Sequence, residues 1–337
     1  MIRFGILGAA HPHVESFITE AASRDDIELV GVYDQDPTIS ATLAERLGVP
    51  SYADYHSLLI QAGVDAVAIA ATYDQRSQLI VECLRQGVHV AADKPMATKL
   101  SDLDAIEQAA QNSSAHLSLV LEKRYYPVTL AAQKLSAEGV LGQIVHVSAT
   151  APHRLLPAHR PSWFFSRQRY GGILGDLLTH DLDLALRFTG ATSGVVHAHA
   201  TNAAHPEKPE FQDLGAALLC TDDNRTIALD AHWLSPEAAP YHGDYRMQLV
   251  GTEGTADLLW KENLLLVATH QQAPYRQSLP EGRRPAENFF DAIFDRRPPE
   301  CSTAHSIAVT RIALLAQLSA DTMTPQRWSI NPMQPSS

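Results

Sequence analysis

Asp176, His180 and Asp183 stand four and then three residues apart, so on a helix the three would share one stripe. An imidazole titrating near neutrality takes a hydroxyl proton when it lies within hydrogen-bond reach of it. Asp176 would orient the substrate or the imidazole, and Asp183 would stabilise the charged ring. Far upstream Lys94 precedes Pro95, which favours an extended backbone. Its ammonium would donate to a reacting oxygen and favour a developing alkoxide. A base and a cation of this kind suit oxidation of a secondary alcohol. A competing reading makes Asp176, His180, Asp183 and Arg187 the wet face of an amphipathic helix packed by Leu177, Leu178, Leu184 and Ala185.

Near the start, Gly8-Ala9-Ala10-His11-Pro12-His13 joins a short apolar run, Arg3 to Leu7, to a helix beginning at Val14. A dinucleotide loop has glycines for the tight turn, for approach to pyrophosphate and for helix–strand packing. Only Gly8 keeps one; Ala10 and His13 hold the other two places. The helix N-terminus directly after a first strand still offers N–H groups and a dipole to an anion. Asp34 comes first off the second strand, where a carboxylate can bond both ribose hydroxyls and repel a 2′-phosphate; Asp36 or Thr38 can cap the next helix. NAD is therefore expected over NADP. His11 and His13 have no third ligand near them in sequence, so no metal is expected. Helix-start hydrogen bonding and the floor of a cofactor cleft are their expected places.

The elements that would position these residues come in two styles. Up to about Glu122, buried strands alternate with helices: Ile27–Tyr33, 64–71, 88–92 and 115–121 as strands, 14–22, 38–47, 75–86 and 101–112 as helices. Gly48 and Pro50 end one helix, Asp54 caps another and Ser101 a third. This is the pattern of a doubly wound parallel sheet. Beyond it strands follow one another at 144–151, 195–201, 214–221, 225–233, 246–250 and 264–269, with helices at 173–188, 285–294 and 306–319. The expected architecture is α/β, a Rossmann domain over 1–122 and an α+β domain with a mostly antiparallel open sheet over 123–337.

Composition excludes several classes. The 337 residues are 45% hydrophobic and 19% charged, as in a globular chain. Lys plus Arg number 26 against 38 Asp plus Glu, a net −12 that argues against nucleic acid. Three scattered cysteines, Cys83, Cys220 and Cys301, form neither a disulfide framework nor a C-x-x-C pair. No stretch reaches the roughly 18 apolar residues of a membrane span, and no leader pattern opens the chain. A soluble cytoplasmic protein is expected.

Ala91-Ala92-Asp93-Lys94-Pro95 resembles the Glu-Lys-Pro motif of the glucose–fructose oxidoreductase / inositol 2-dehydrogenase (Gfo/Idh/MocA) family. Gly171-Gly172-Ile173-Leu174-Gly175-Asp176, continuing to Asp183, is similar to its second signature, a glycine-rich lead into D-x-x-x-H-x-x-D. Arg124-Tyr125, Gly139-Val140-Leu141-Gly142, Trp163 and Gly251-Thr252-Glu253-Gly254 agree, so the resemblance runs from Met1 to about Ala320. Three places depart from it: Asp93 for Glu, the glycine-poor loop, and Ala71-Thr72-Tyr73 with Arg76 where Thr-Pro-Asn and a His are frequent.

The resemblance implies hydride transfer between NAD and a sugar, polyol or sugar acid, with Lys94, Asp176 and His180 catalytic. Gly8, Ala9, Ala10, His11, Pro12, His13, Asp34, Ala71, Thr72, Asp93 and Lys94 would bind the cofactor. Arg124, Tyr125, His153, Arg154, Trp163, Asp176 and His180 would face the substrate. Two other functions fit the motifs. One is a redox-neutral glycoside-cleaving enzyme, with Tyr125, His153 or His159 as the extra acid/base. The other is an NAD-binding sensor. Between Gly139 and Gly175 there is no acidic residue, while Arg154, Arg160, Arg167 and Arg169 occur, which suggests an anionic substrate. These arginines would otherwise meet acidic patches of a second subunit. An open sheet must bury its uncovered face, so a homodimer or homotetramer is expected.

Overall fold

The structure is a computed structural model and describes residues 1–330. The chain forms two compact units. The first contains Met1–Leu121 and, from much later in the chain, Arg284–Ile307. Its elements are β1 (Ile2–Ala9), α1 (Val14–Ala22), β2 (Ile27–Tyr33), α2 (Pro37–Leu47), α3 (Tyr55–Gln61), β3 (Ala66–Ala70), α4 (Tyr73–Arg85), β4 (His89–Ala92), α5 (Leu100–Gln111) and β5 (Leu117–Leu119). All five strands are parallel, in the order β2-β1-β3-β4-β5. The order reverses direction between β1 and β3, and ligands of such sheets bind beyond the strand ends at that point.

Local chemistry explains the boundaries. The Asp36 carboxylate accepts from Thr38 N and caps α2, Pro37 sits in its first turn, and Gly48 ends it with φ +67°. Asp54 accepts from Ser57 N and caps α3. Ser101 does not cap α5; that helix begins one residue earlier, after Lys99, and has no side-chain cap. β3 is Ala-Val-Ala-Ile-Ala, buried throughout, as a strand covered on both faces must be.

The first unit's leading stretch ends at Leu121, and the later part of the chain is divided between the two units. Residues 284–307 belong to the first unit. There the helix Pro285–Phe294 places Phe290 edge-on to Phe4 at 5.1 Å and Phe289 against Phe17 at 5.9 Å. Thr303 Oγ1 and Ser306 Oγ accept from Leu117 N and Leu119 N, satisfying the outer edge of β5. An amphipathic pattern shows that a helix has an apolar face and is silent about which core receives it.

The second unit contains 122–283 and the rest of the described chain from Ala308. Its elements are α6 (Pro127–Ala137), β6 (Ile144–Pro152), α7 (Arg167–Tyr170), α8 (Ile173–Leu177), α9 (Thr179–Thr189), β7 (Ser193–Thr201), β8 (Leu214–Thr221), β9 (Thr226–His232), β10 (Arg246–Gly251), β11 (Gly254–Leu259), β12 (Leu264–Thr269) and β13 (Tyr275–Arg276). Completing the chain's elements are α10 (Pro285–Phe294), α11 (Thr303–Thr322), within which the unit division falls, and β14 (Gln326–Ser329). The sheet has nine strands, β13-β12-β11-β10-β6-β9-β8-β7-β14. Every pair is antiparallel except β6 with β9.

Burial alternates along β8, with Gly215, Ala217, Leu219 and Thr221 inward and Ala216, Leu218 and Cys220 exposed. One face therefore carries the core and the other does not. The expected single helix over 173–188 is two, α8 and α9, meeting at Leu178, whose backbone stays helical.

Candidate active site

In the first unit Gly8, the next-to-last residue of β1, has φ +81°, and a Cβ there would lie 2.4 Å from Ala71 Cα. Only glycine fits this turn. Asp34, just after β2, accepts from Ala9 N at 2.7 Å and from Asp36 N at 2.8 Å. Since Asp36 caps α2, Asp34 is left beside the loop at the sheet's switch point. A positive-φ glycine packed on backbone, a carboxylate after β2 and the start of α1 fit a dinucleotide. Ala71 is buried, and Thr72, half-buried, donates its hydroxyl to Asp74 at the start of α4.

His13 is the residue before α1, where its carbonyl accepts from Ser16 Oγ at 2.9 Å while its ring makes no cap. Its Nδ1 donates instead to Asp93 Oδ1 at 2.7 Å, and His11 Nδ1 lies 3.1 Å from Asp93 Oδ2. Burial, opposed by Asp93, lowers the His11 pKa to about 4, so the ring is neutral at pH 7. Asp93 is 2% exposed and held well below the usual carboxylate range by Arg76 and the two histidines, against the cost of burial. Lys94, on the next residue, is also buried. The third group missing from the histidine pair in sequence is thus Asp93, and the ligand atoms of His11, His13 and Asp93 fall within 4.8 Å of one another. The cation on that carboxylate is the Arg76 guanidinium, 2.8 Å from Oδ2.

In the second unit Asp176, in α8, is fully buried, while His180, in α9, keeps partial exposure. Asp183 is equally buried and receives the Arg124 guanidinium through Nε at 2.7 Å and through a second nitrogen. Asp181 receives Lys123 Nζ on both oxygens, at 2.7 and 2.9 Å. Burial raises the Asp181 pKa, with Lys123 opposing. Lys123 also sits over the Tyr245 and Trp260 rings at 4.5 and 4.9 Å. The wet-face reading fails: Asp176 and Asp183 are buried, His180 is partly so, and Arg187 alone of the four is exposed. Asp183 thus carries Arg124, itself 2% exposed, which ties α9 to the segment before α6.

The other expected substrate residues have their own neighbours. His153 Nδ1 donates to Ala151 O at 2.9 Å, and its ring meets Trp233, Tyr245 and His242 at 5.1, 4.9 and 5.2 Å. Tyr125 is buried under the Arg283 guanidinium, and His159 is exposed. Arg154 donates to the Ala239 and Glu237 carbonyls. Arg160 stacks on Phe164 and Trp233 and donates to Leu155 O. Arg167 binds Gln212 and Asp321, and Arg169 lies over Trp163, which is half-buried. The arginine-rich window is largely committed to its own unit.

Comparison with known proteins covers stretches of both units. Residues 2–120 match the oxidoreductase family with the NAD-binding Rossmann fold, and residues 129–257 match the GFO/IDH/MocA C-terminal domain. The chain is 23% identical over 258 residues to scyllo-inositol 2-dehydrogenase (NAD(+)) of Bacillus subtilis, covering 75% of this chain and 72% of that one. It is 26% identical over 336 residues to UDP-N-acetylglucosamine 3-dehydrogenase of Acidithiobacillus ferrooxidans, covering 95% and 97%. Levoglucosan dehydrogenase in complex with NADH and L-sorbose superposes with a TM-score of 0.84 at 19% identity, over 98% of this chain and 99% of that chain. The fold and these matches define an NAD-binding oxidoreductase that acts on a CH–OH group. The chain belongs to the Gfo/Idh/MocA family.

Proposed function

We propose that the chain oxidises a secondary alcohol of a neutral sugar or polyol with NAD⁺. His180 takes the hydroxyl proton, Asp176 orients the substrate or the imidazole, and Lys94 donates to the oxygen and favours the alkoxide. NAD, when bound, accepts the hydride. Gly8, Ala9, Ala10, His11, Pro12, His13, Asp34, Ala71, Thr72, Asp93 and Lys94 are the residues we assign to holding it. The observation that carries the reading is the partition of charge on α8 and α9. Asp181 and Asp183 are buried against Lys123 and Arg124, whereas His180 keeps access to solvent.

A neutral substrate is favoured over a sugar acid because Arg154, Arg160 and Arg167 already donate to carbonyls and side chains of their own unit. Among the described residues no helix is long and apolar enough to cross a membrane. Among the described residues Cys83, Cys220 and Cys301 form no disulfide, which suits the cytoplasm we propose for the protein.

The test is a panel of neutral sugars, polyols and their acids with NAD⁺, followed at 340 nm. His180→Ala is expected to keep NAD affinity while turnover falls about 10²-fold or more, the scale of losing a positioned base. Equal loss of both would make His180 structural. Consumption of a glycoside with no net absorbance change would replace the dehydrogenase by the redox-neutral reading.

A further inference from the structure

Three departures from the family's motifs lie far apart in sequence: the histidines of the Gly8–His13 loop, Asp93 in place of Glu, and Arg76 in place of His. In the first unit all three meet on one carboxylate. Asp93 Oδ1 accepts from His13 Nδ1 at 2.7 Å and from Lys94 N at 2.8 Å. Oδ2 accepts from Arg76 at 2.8 Å and faces His11 Nδ1. Arg76 is 0% exposed, and its other nitrogens donate to the carbonyls of Ala71, Lys94 and Pro95. The Lys94 residue is therefore gripped twice, at its N–H by Asp93 and at its carbonyl by Arg76.

A glycine-rich loop reaches its shape through φ values that only glycine takes up readily. Here His13 has φ −60°, and Ala10 is not among the residues with positive φ. Past Gly8 the loop follows a path open to any residue, so side-chain bonds must fix it.

We propose that His11, His13, Asp93 and Arg76 form one positioning unit, which shapes the dinucleotide loop in place of two glycines and holds the Lys94 backbone in register with it. The shorter carboxylate is matched by the longer cation. The proposal rests on NAD binding by the first unit.

The experiment is fluorescence titration of the EDTA-treated full chain with NAD⁺ and NADH, with thermal midpoints recorded in parallel. His13→Gly moves the loop toward the glycine-rich pattern, yet it is expected to weaken binding about tenfold, the scale of a lost bond to a charged acceptor. His13→Asn, which keeps a donor near the Nδ1 position, should stay within about threefold of the parent. Arg76→His and Asp93→Glu should each weaken binding, and the double variant should recover most of the loss, because contacting residues couple.

Unchanged or tighter binding by His13→Gly overturns the proposal. So do additive losses in the double variant, or losses that only track the thermal midpoint. Weak binding after EDTA that Zn²⁺ restores would replace the unit with a metal site. Failure of the parent chain to bind either dinucleotide would overturn both this proposal and the assigned dinucleotide site, whereas parent binding with an unaffected His13→Gly removes the proposal alone.

Discussion

A carboxylate buried with a guanidinium on it behaves differently from one facing water, and Asp183 shows what that means for a single substitution. Asp183→Ala would leave Arg124 buried without its counter-charge. A loss of about 3–5 kcal/mol in urea unfolding is expected, the scale of stranding one member of a buried pair. Arg187→Ala, one turn along and exposed, should cost less than about 0.5 kcal/mol. Equal effects at the two positions would show that the Arg124–Asp183 pair is not what secures α9. At this scale the sequence was a partial guide. Asp176, His180 and Lys94 stand out by spacing and motif, but partners such as His13 with Asp93, 80 positions apart, or Arg124 with Asp183, 59 apart, are set by packing that no local pattern encodes. Paired basic and acidic residues at 123/124 and 181/183 were the one available hint.

Elements were more legible where two signals agreed. β2, α1 and α10 fall at their expected bounds, because an apolar period and a terminator coincided there. The expected elements omit α6, although Pro127 opens it and Val128, Ala131, Ala132 and Leu135 are its buried stripe; its short apolar period lies beside strands with a period of two. They also omit β11, whose lead-in, Gly251 to Gly254, carries a motif in place of a strand signal. The junction of β1 and α1 gives a sharp test. Gly8→Ala adds a Cβ 2.4 Å from Ala71 Cα and must hold φ +81°, a conformation that costs about 1–2 kcal/mol outside glycine. The expected result is a lower thermal midpoint together with weakened NAD binding in titration. Binding and midpoint both equal to the parent's would show that the turn relaxes freely.

For the molecule as a whole, acid should be destabilising through its neutral histidines. Burial lowers His11 and His89 from 6.5 to about 4. His89 Nδ1 accepts from His116 N at 2.9 Å, a bond that a proton on that nitrogen abolishes. The unfolded chain takes up these protons below about pH 6.5 and the folded chain only near 4, so stability falls as pH drops through that window. Asp93, with its pKa depressed, adds its loss only below the ordinary carboxylate range; Asp181 and Asp230, with theirs raised by burial, act in the opposite sense. His89→Asn, which can still accept from His116 N, should flatten the dependence of thermal midpoint on pH between 4.5 and 6.5. A parallel curve would locate the acid sensitivity elsewhere. On the outer face of the large sheet, Leu218 is 44% exposed beside Ala216 and Ala228. We expect a second copy to cover that face, with Leu218→Glu shifting sedimentation toward the monomer; a parent chain that stays monomeric on dilution and concentration alike would refute it.

The return of residues 284–307 to the first unit has a consequence in time. During synthesis the first 121 residues leave the ribosome long before α10, so the surface around Phe4 and Phe17 and the outer donors of β5 must wait, uncovered, while some 160 further residues are made. The strands and helices of 122–283 can begin to assemble during that interval, although α11 and β14 of the second unit come later still; the first unit cannot be finished until it is over. A fragment ending at Leu121 should therefore aggregate or bind a hydrophobic dye, and the same fragment joined through a flexible linker to 284–307 should gain cooperative unfolding. If the short fragment folds cooperatively by itself, the late segment is an ornament to the first unit rather than its closing piece.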